Sequence, residues 1–101
     1  MKYIKYYEEV YNDENEPHVY DYVIMISSVD TVKNFIENNI GQIIEIDREN
    51  YDVTVKYFNI PSHLKEYFVN NSRIFGLRKI KHWSKNKEDL IPFIQSNKYN
   101  L

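Results

Sequence analysis

The sequence predicts an α+β protein: a mainly antiparallel sheet of about five strands, with helices packed on one face, in the order ββαββαβα. Three observations carry that reading. Two pairs of strand-like stretches are each joined by a short polar turn, the pattern of antiparallel hairpins. Residues 29–40 repeat their apolar side chains at helical spacing. The 101 residues hold no repeat, no low-complexity tract and no linker-like segment, which predicts a single domain over 1–101.

Residues 2–11 interleave aromatic and β-branched side chains with Lys and Glu, as a strand does. Asn12–Pro17 has turn chemistry. Residues 18–27 hold the longest apolar run, Val23-Ile24-Met25-Ile26, and read as the second strand. Ser27 or Ser28 then caps a helix whose stripe is Val29, Val32, Phe35, Ile36 and Ile40, with Asp30 in the first turn where it favours the helix dipole. Val29, Val32, Phe35 and Ile36 are expected to pack on Val53, Val55 and the apolar side of residues 19–26. Asn39 and Gly41 are stop signals, with Gly41 expected in the left-handed conformation.

Residues 42–47 and 51–58 form a second hairpin around Asp47-Arg48-Glu49-Asn50, with Tyr51, Val53, Val55 and Tyr57 on its buried face. Pro61 and Ser62 open a short helix over 62–70, with Leu64, Tyr67 and Phe68 turned inward and Asn70-Asn71 ending it. Residues 73–83 read as a fifth strand. Phe75 and Leu77 lie on one face of it, Ile80 breaks the alternation, and Gly76 marks a bulge or a close approach. A last helix starts near Asn86, with Asp89 completing a partial capping box and Leu90, Ile91, Phe93 and Ile94 on its apolar side. Pro92 should kink or shorten it.

Several function classes are disfavoured by composition. There is no cysteine, which excludes disulfide scaffolds, cysteine zinc sites and thiol chemistry. No run approaches the ~20 apolar residues of a membrane helix, and Met1–Lys5 opens no secretory signal, so no membrane association is expected and the expected location is cytoplasmic. Two glycines are too few for a phosphate-cradling loop. His18, His63 and His82 have no metal-ligand spacing, so no metal and no cofactor is expected. Glu8 and Glu9 point to opposite faces of a strand and cannot act as a carboxylate pair. Ser27-Ser28 lies in no nucleophile elbow. The expectation is a protein that is not an enzyme.

Charge is unevenly placed. The net charge is −2. Residues 1–60 carry twelve acidic and five basic side chains; residues 61–101 carry eight basic and three acidic. The acids cluster at two turns, Glu8 to Glu16 and Glu45 to Asp52. The chain also has ten tyrosines and no alanine, the bias of an AT-rich coding sequence. Tyrosine gives stiff, amphipathic contact area, and charge steers the approach of an opposite partner. If the two turns meet at one end of the sheet, they form an acidic rim. Its expected partner-binding residues are Tyr7, Glu8, Glu9, Tyr11, Asp13, Glu14, Glu16, Tyr20, Glu45, Asp47 and Glu49.

No family motif is present. In kind, this profile is that of small proteins that bind and block another protein: immunity proteins that neutralise a cognate bacterial toxin, or phage-encoded inhibitors of host defence. The expected partner is a protein with a basic surface, such as a toxin, nuclease or defence effector. A second reading is a nucleic-acid-binding module using Arg73, Arg78, Lys79, Lys81 and Trp83, although the overall charge speaks against nucleic acid. The competing role for those basic residues is to guard a strand edge against aggregation. A third reading is a structural protein that forms a homodimer.

Overall fold

The computed structural model describes residues 15–99. The expected strand over residues 2–11 lies outside them. The described elements are β1 (Tyr22–Met25), α1 (Asp30–Glu37), β2 (Gly41–Asp47), β3 (Asp52–Lys56), a 3₁₀ segment (Ser62–Tyr67), β4 (Ser72–Gly76), a 3₁₀ turn (Leu77–Lys79), β5 (Ile80–Ser84), a 3₁₀ segment (Lys87–Leu90) and α2 (Ile91–Tyr99). They form a five-stranded antiparallel sheet in the order β4-β3-β2-β1-β5 with helices packed on it, the expected α+β class.

Strand β1 is shorter than the expected 18–27. Tyr20 sits at φ 80°, which interrupts regular pairing. Before β1 the chain still follows β2: the Tyr20 amide donates to the Ile43 carbonyl at 2.7 Å and the Ile43 amide to the Asp21 carbonyl at 2.9 Å.

Neither serine caps α1 in the usual way. Val29 is the N-cap residue and makes no side-chain cap. Instead the buried Ser27 hydroxyl accepts the Val29 amide at 3.1 Å, and the Ser27 amide donates to the Glu37 carboxylate at 3.1 Å. Lys33 joins the same carboxylate at 2.9 Å. Partial burial works against ionising Glu37, but these donors outweigh it and hold the carboxyl below its ordinary range.

The expected strand over 73–83 is two strands, on opposite edges of the sheet. Only Leu77–Lys79 joins them. In a flat sheet the two edges would stand about 19 Å apart, four spacings of ~4.8 Å. The four residue steps from Gly76 to Ile80 rise only about 8 Å as a 3₁₀ turn. The sheet must therefore be strongly coiled, so that its edges meet at a corner. Two hydrogen bonds pin that corner: the Leu77 amide donates to Tyr51 O at 2.7 Å, and the Ile26 amide to Lys79 O at 2.9 Å. Register shifts at Ile43/Glu45 and Ile24/Met25 supply the bends.

The inside of the coil is the core. Val23, Met25, Ile43, Val53, Val55, Phe75 and Ile80 of the sheet meet Val32 and Ile36 of α1 and Ile60, Leu64 and Phe68 of the β3–β4 connection. Phe35, Tyr57, Phe68 and Phe75 pack edge to face, with ring centroids 5.6 to 6.4 Å apart. Val29, at the end of the expected stripe, is exposed instead. The helices do not all share one face. Ile24 points away from its buried neighbours Val23 and Met25, and there the Lys87–Leu90 segment packs against β1. The C-terminal segment covers that outer side, with Phe93 stacked on His82 at 3.7 Å.

Two other local expectations change. The 62–70 helix is a 3₁₀ segment ending at Tyr67, and Asn70 and Asn71 take positive φ in the turn that follows. Pro92 is the second residue of α2, where no helical partner for its missing N–H is required, so it starts the helix rather than kinking it.

The Tyr57 hydroxyl is buried in the aromatic cluster with no hydrogen-bond partner among the described residues, and burial pushes its pKa well above the ordinary tyrosine value. An unsatisfied buried hydroxyl costs about 1–3 kcal/mol. Tyr57→Phe keeps the ring and removes that penalty. It should raise stability by about 1 kcal/mol, a gain of roughly 4–8 °C in thermal midpoint for a chain of this size. A lowered midpoint would show that the hydroxyl is bonded.

Candidate functional site

The acidic end of the sheet is built by the β2–β3 turn and by the chain segment that enters β1. That segment runs beside β2, so Glu16 reaches the turn and pairs with Arg48 at 3.1 Å. The Asp47 carboxylate accepts the Asn50 amide N–H at 3.2 Å and the Asn50 side-chain amide at 2.9 Å. Those bonds hold its carboxyl below its ordinary range, so the group is anionic at neutral pH. Glu45 and Glu49 are exposed beside it. One turn further up the entering segment, the His18 amide donates to the buried Asp21 carboxylate at 2.9 Å, which fixes the loop carrying Tyr20.

Two tyrosines stand out at this end. Tyr20 has φ 80° and is 69% exposed; Tyr51 has φ 57° and is 72% exposed. Bulky residues with positive φ are genuine outliers, at a cost of order 1–3 kcal/mol each. Neither ring is buried enough to offset that. The expected burial of Tyr51 is therefore corrected: the left-handed turn turns its side chain out of the face that Val53, Val55 and Tyr57 share.

Of the expected acidic rim, Glu16, Tyr20, Glu45, Asp47 and Glu49 are brought to this region, and Tyr51 joins them. Tyr7, Glu8, Glu9, Tyr11, Asp13 and Glu14 lie outside the described residues. Of the first acidic cluster, Glu16 is seen to pair with Arg48 of the β2–β3 turn.

The basic set fares differently. Arg73 donates to the Tyr67 carbonyl at 2.8 Å and is held against the β3–β4 connection. Arg78 and Lys79 lie in the corner turn, and Lys81 is on the other edge strand. Phe75 is buried, and Trp83 is partly buried with its ring packed against the core. Residues 73–83 thus give no continuous basic and aromatic face. A cationic group that sequence spacing did not reveal lies elsewhere: the Lys56 and Lys87 ammonium groups stand 5.8 and 6.0 Å from the ring centroid of half-exposed Phe58.

Among the described residues no three His, Asp or Glu side chains converge as metal ligands. The His82 ring stacks on Phe93; burial, and then the neighbouring Lys81, pushes its pKa down. No helix among the described residues is long and apolar enough to cross a membrane.

Fold and surface together define a small α+β protein with a coiled antiparallel sheet and an acidic, tyrosine-bearing end. In comparisons with known proteins the chain matches no family model, no curated protein and no solved structure.

Proposed function

We propose that this protein binds and blocks another protein with a basic surface, and that its acidic end is the docking face. The observation that carries this is the pair Tyr20 and Tyr51. Glycine or asparagine would occupy either backbone position at lower cost, yet the chain places a large ring there and leaves it in solvent. Rigid, exposed tyrosines on a surface that includes an acidic turn suit a cationic protein surface: charge speeds the encounter, and the rings supply buried area once water leaves. The positive cleft of a toxin, a nuclease or a host defence effector has that character. An immunity protein or a phage-encoded inhibitor would act by filling it.

The test separates binding from folding. Tyr20→Gly removes the ring and relieves the backbone, so the variant should be as stable as the wild type or slightly more so. Its dissociation from the partner should be about 30-fold faster, the equivalent of a 2 kcal/mol hot spot. The double change Glu45→Lys/Glu49→Lys should slow association by about tenfold or more at low salt, with the effect shrinking as salt is added. The partner is obtained by affinity capture from the native host, and its own activity is then titrated with wild type and variants. Variants that bind and inhibit like wild type would show the acidic end to be only a solvated face.

A further inference from the structure

The sheet has a second exposed feature, on its outer side and away from the acidic turn. Register places Ser72, Lys56, Gln42, Tyr22 and Ser84 in one row across all five strands. Residues opposite one another in a sheet share a face. The three central ones alternate with buried neighbours: Tyr22 precedes buried Val23, Gln42 lies between Gly41 and Ile43, and Lys56 lies between Val55 and Tyr57. The whole row therefore faces outward, and all five residues are half-exposed.

Phe58 and Lys87 join the row at the Lys56 position. The two ammonium groups converge on the Phe58 ring from different elements, β3 and the Lys87–Leu90 segment, at 5.8 and 6.0 Å. That is the outer limit of a cation–π contact, so both ammonium groups can readily be traded for stronger anionic partners. Among the described residues neither lysine has a carboxylate within ion-pair distance. Asp89, two residues from Lys87, is engaged by the Ser84 hydroxyl at 2.6 Å. The Gln42 side-chain amide donates to Tyr20 O at 3.1 Å, which fixes the polar group between Lys56 and Tyr22.

We infer that this row binds single-stranded nucleic acid, with Lys56 and Lys87 meeting phosphates and the Phe58 and Tyr22 rings stacking on bases. Unpaired cations next to partly exposed rings, on the part of the outer side that the C-terminal segment leaves uncovered, are the combination that holds a strand without reading its sequence. A duplex fits less well, because its bases are already stacked and offer no free faces to the rings. The residues that would hold the strand, Lys56, Phe58, Lys87 and Tyr22, are not among those assigned to the acidic end, and their variants test this surface separately from protein blocking.

The probe is a fluorescently labelled twelve-residue oligothymidylate, followed by anisotropy, with thymidine monophosphate as competitor. Wild type should bind it, with affinity falling about 25-fold per tenfold rise in salt, the slope for two phosphates neutralised on a single strand. Phe58→Ala and Lys56→Glu/Lys87→Glu should each weaken binding by about tenfold or more. Arg78→Glu/Lys79→Glu, at the corner turn, should leave it within about twofold. All variants change exposed or half-exposed side chains, and circular dichroism checks that each is folded. No binding up to about 100 μM protein would overturn the inference. So would loss of binding through Arg78 and Lys79 alone, displacement by the mononucleotide as effective as by unlabelled strand, or equal displacement by polyglutamate, which would make the occupant an acidic protein.

Discussion

Replacing Ile36 with alanine should cost about 2–5 kcal/mol of folding stability. Ile36 is fully buried and sits where α1 meets the inside of the sheet, among the residues of the central cluster. Truncation removes its transfer energy and leaves a cavity, which the surrounding core can fill only in part. Total stability of a domain this size is about 5–15 kcal/mol, so the loss is a large fraction of it. Denaturant unfolding followed by circular dichroism gives the number directly. An unchanged midpoint would place α1 off the core and overturn the topology.

The second large effect is expected at Gly41. A methyl group there would lie 2.4 Å from Val55 Cγ1 and 2.9 Å from Tyr57 Cε1. Both neighbours are fully or almost fully buried, and Tyr57 is held by rings on three sides. Neither can move without disturbing the cluster. Gly41→Ala should therefore destabilise by about 1–3 kcal/mol or more, although alanine alone would favour a strand backbone over glycine. A companion change, Gly41→Ala with Val55→Ala, should recover part of the loss, because it removes the nearer clash. If the single variant is as stable as wild type, the β2–β3 packing is looser than described. Gly76 is the contrast: a methyl group there meets nothing closer than 4.0 Å, so no comparable penalty is expected.

These two glycines show where sequence reading succeeds and where it stops. Gly41 was expected as a left-handed helix stop. No glycine among the described residues has positive φ, and the real constraint is the close approach of two side chains of the next strand, Val55 first and then the Tyr57 ring. Such a constraint exists only in three dimensions. By contrast, the inward face of β3 was legible, because Val53, Val55 and Tyr57 alternate cleanly with polar residues. The α1 stripe was legible at its centre, Val32 and Ile36, and failed at its edge, Val29, where the chain has not yet reached the core.

The break in 73–83 left a trace that alternation alone could not interpret. Buried Phe75 and Ile80 are an odd number of residues apart and cannot share a face on one straight strand. A bulge and a turn explain that parity equally well, and Leu77-Arg78-Lys79 contains no Gly, Pro or Asn to mark the turn. The acidic part of the candidate surface was legible because charge clusters need no folding to be seen. Tyr51 was not, since its parity with Val53 assigned it inward and only the left-handed turn reverses it. The Lys56–Phe58–Lys87 group was invisible for a different reason: Lys87 arrives from a segment that crosses to the outer side of the sheet, and nothing local records that crossing.

The place of β5 beside β1 also bears on how the chain acquires its structure in time. Tyr22 pairs with Ser84, so the central part of the sheet stays open on one side until the chain has been synthesised almost to its last helix. Residues emerging earlier can form the β2–β3–β4 meander, whose pairings are local. They cannot form the corner, because Lys79 must reach Ile26. Closure of that long loop is an entropic barrier that falls late, and it makes folding slower than a helical protein of equal length would show. On the ribosome, the nascent chain would hold the edge of β1 unpaired, together with the apolar run Val23–Ile26, through most of translation. In the cell, that interval is when chaperone protection of this protein would matter most.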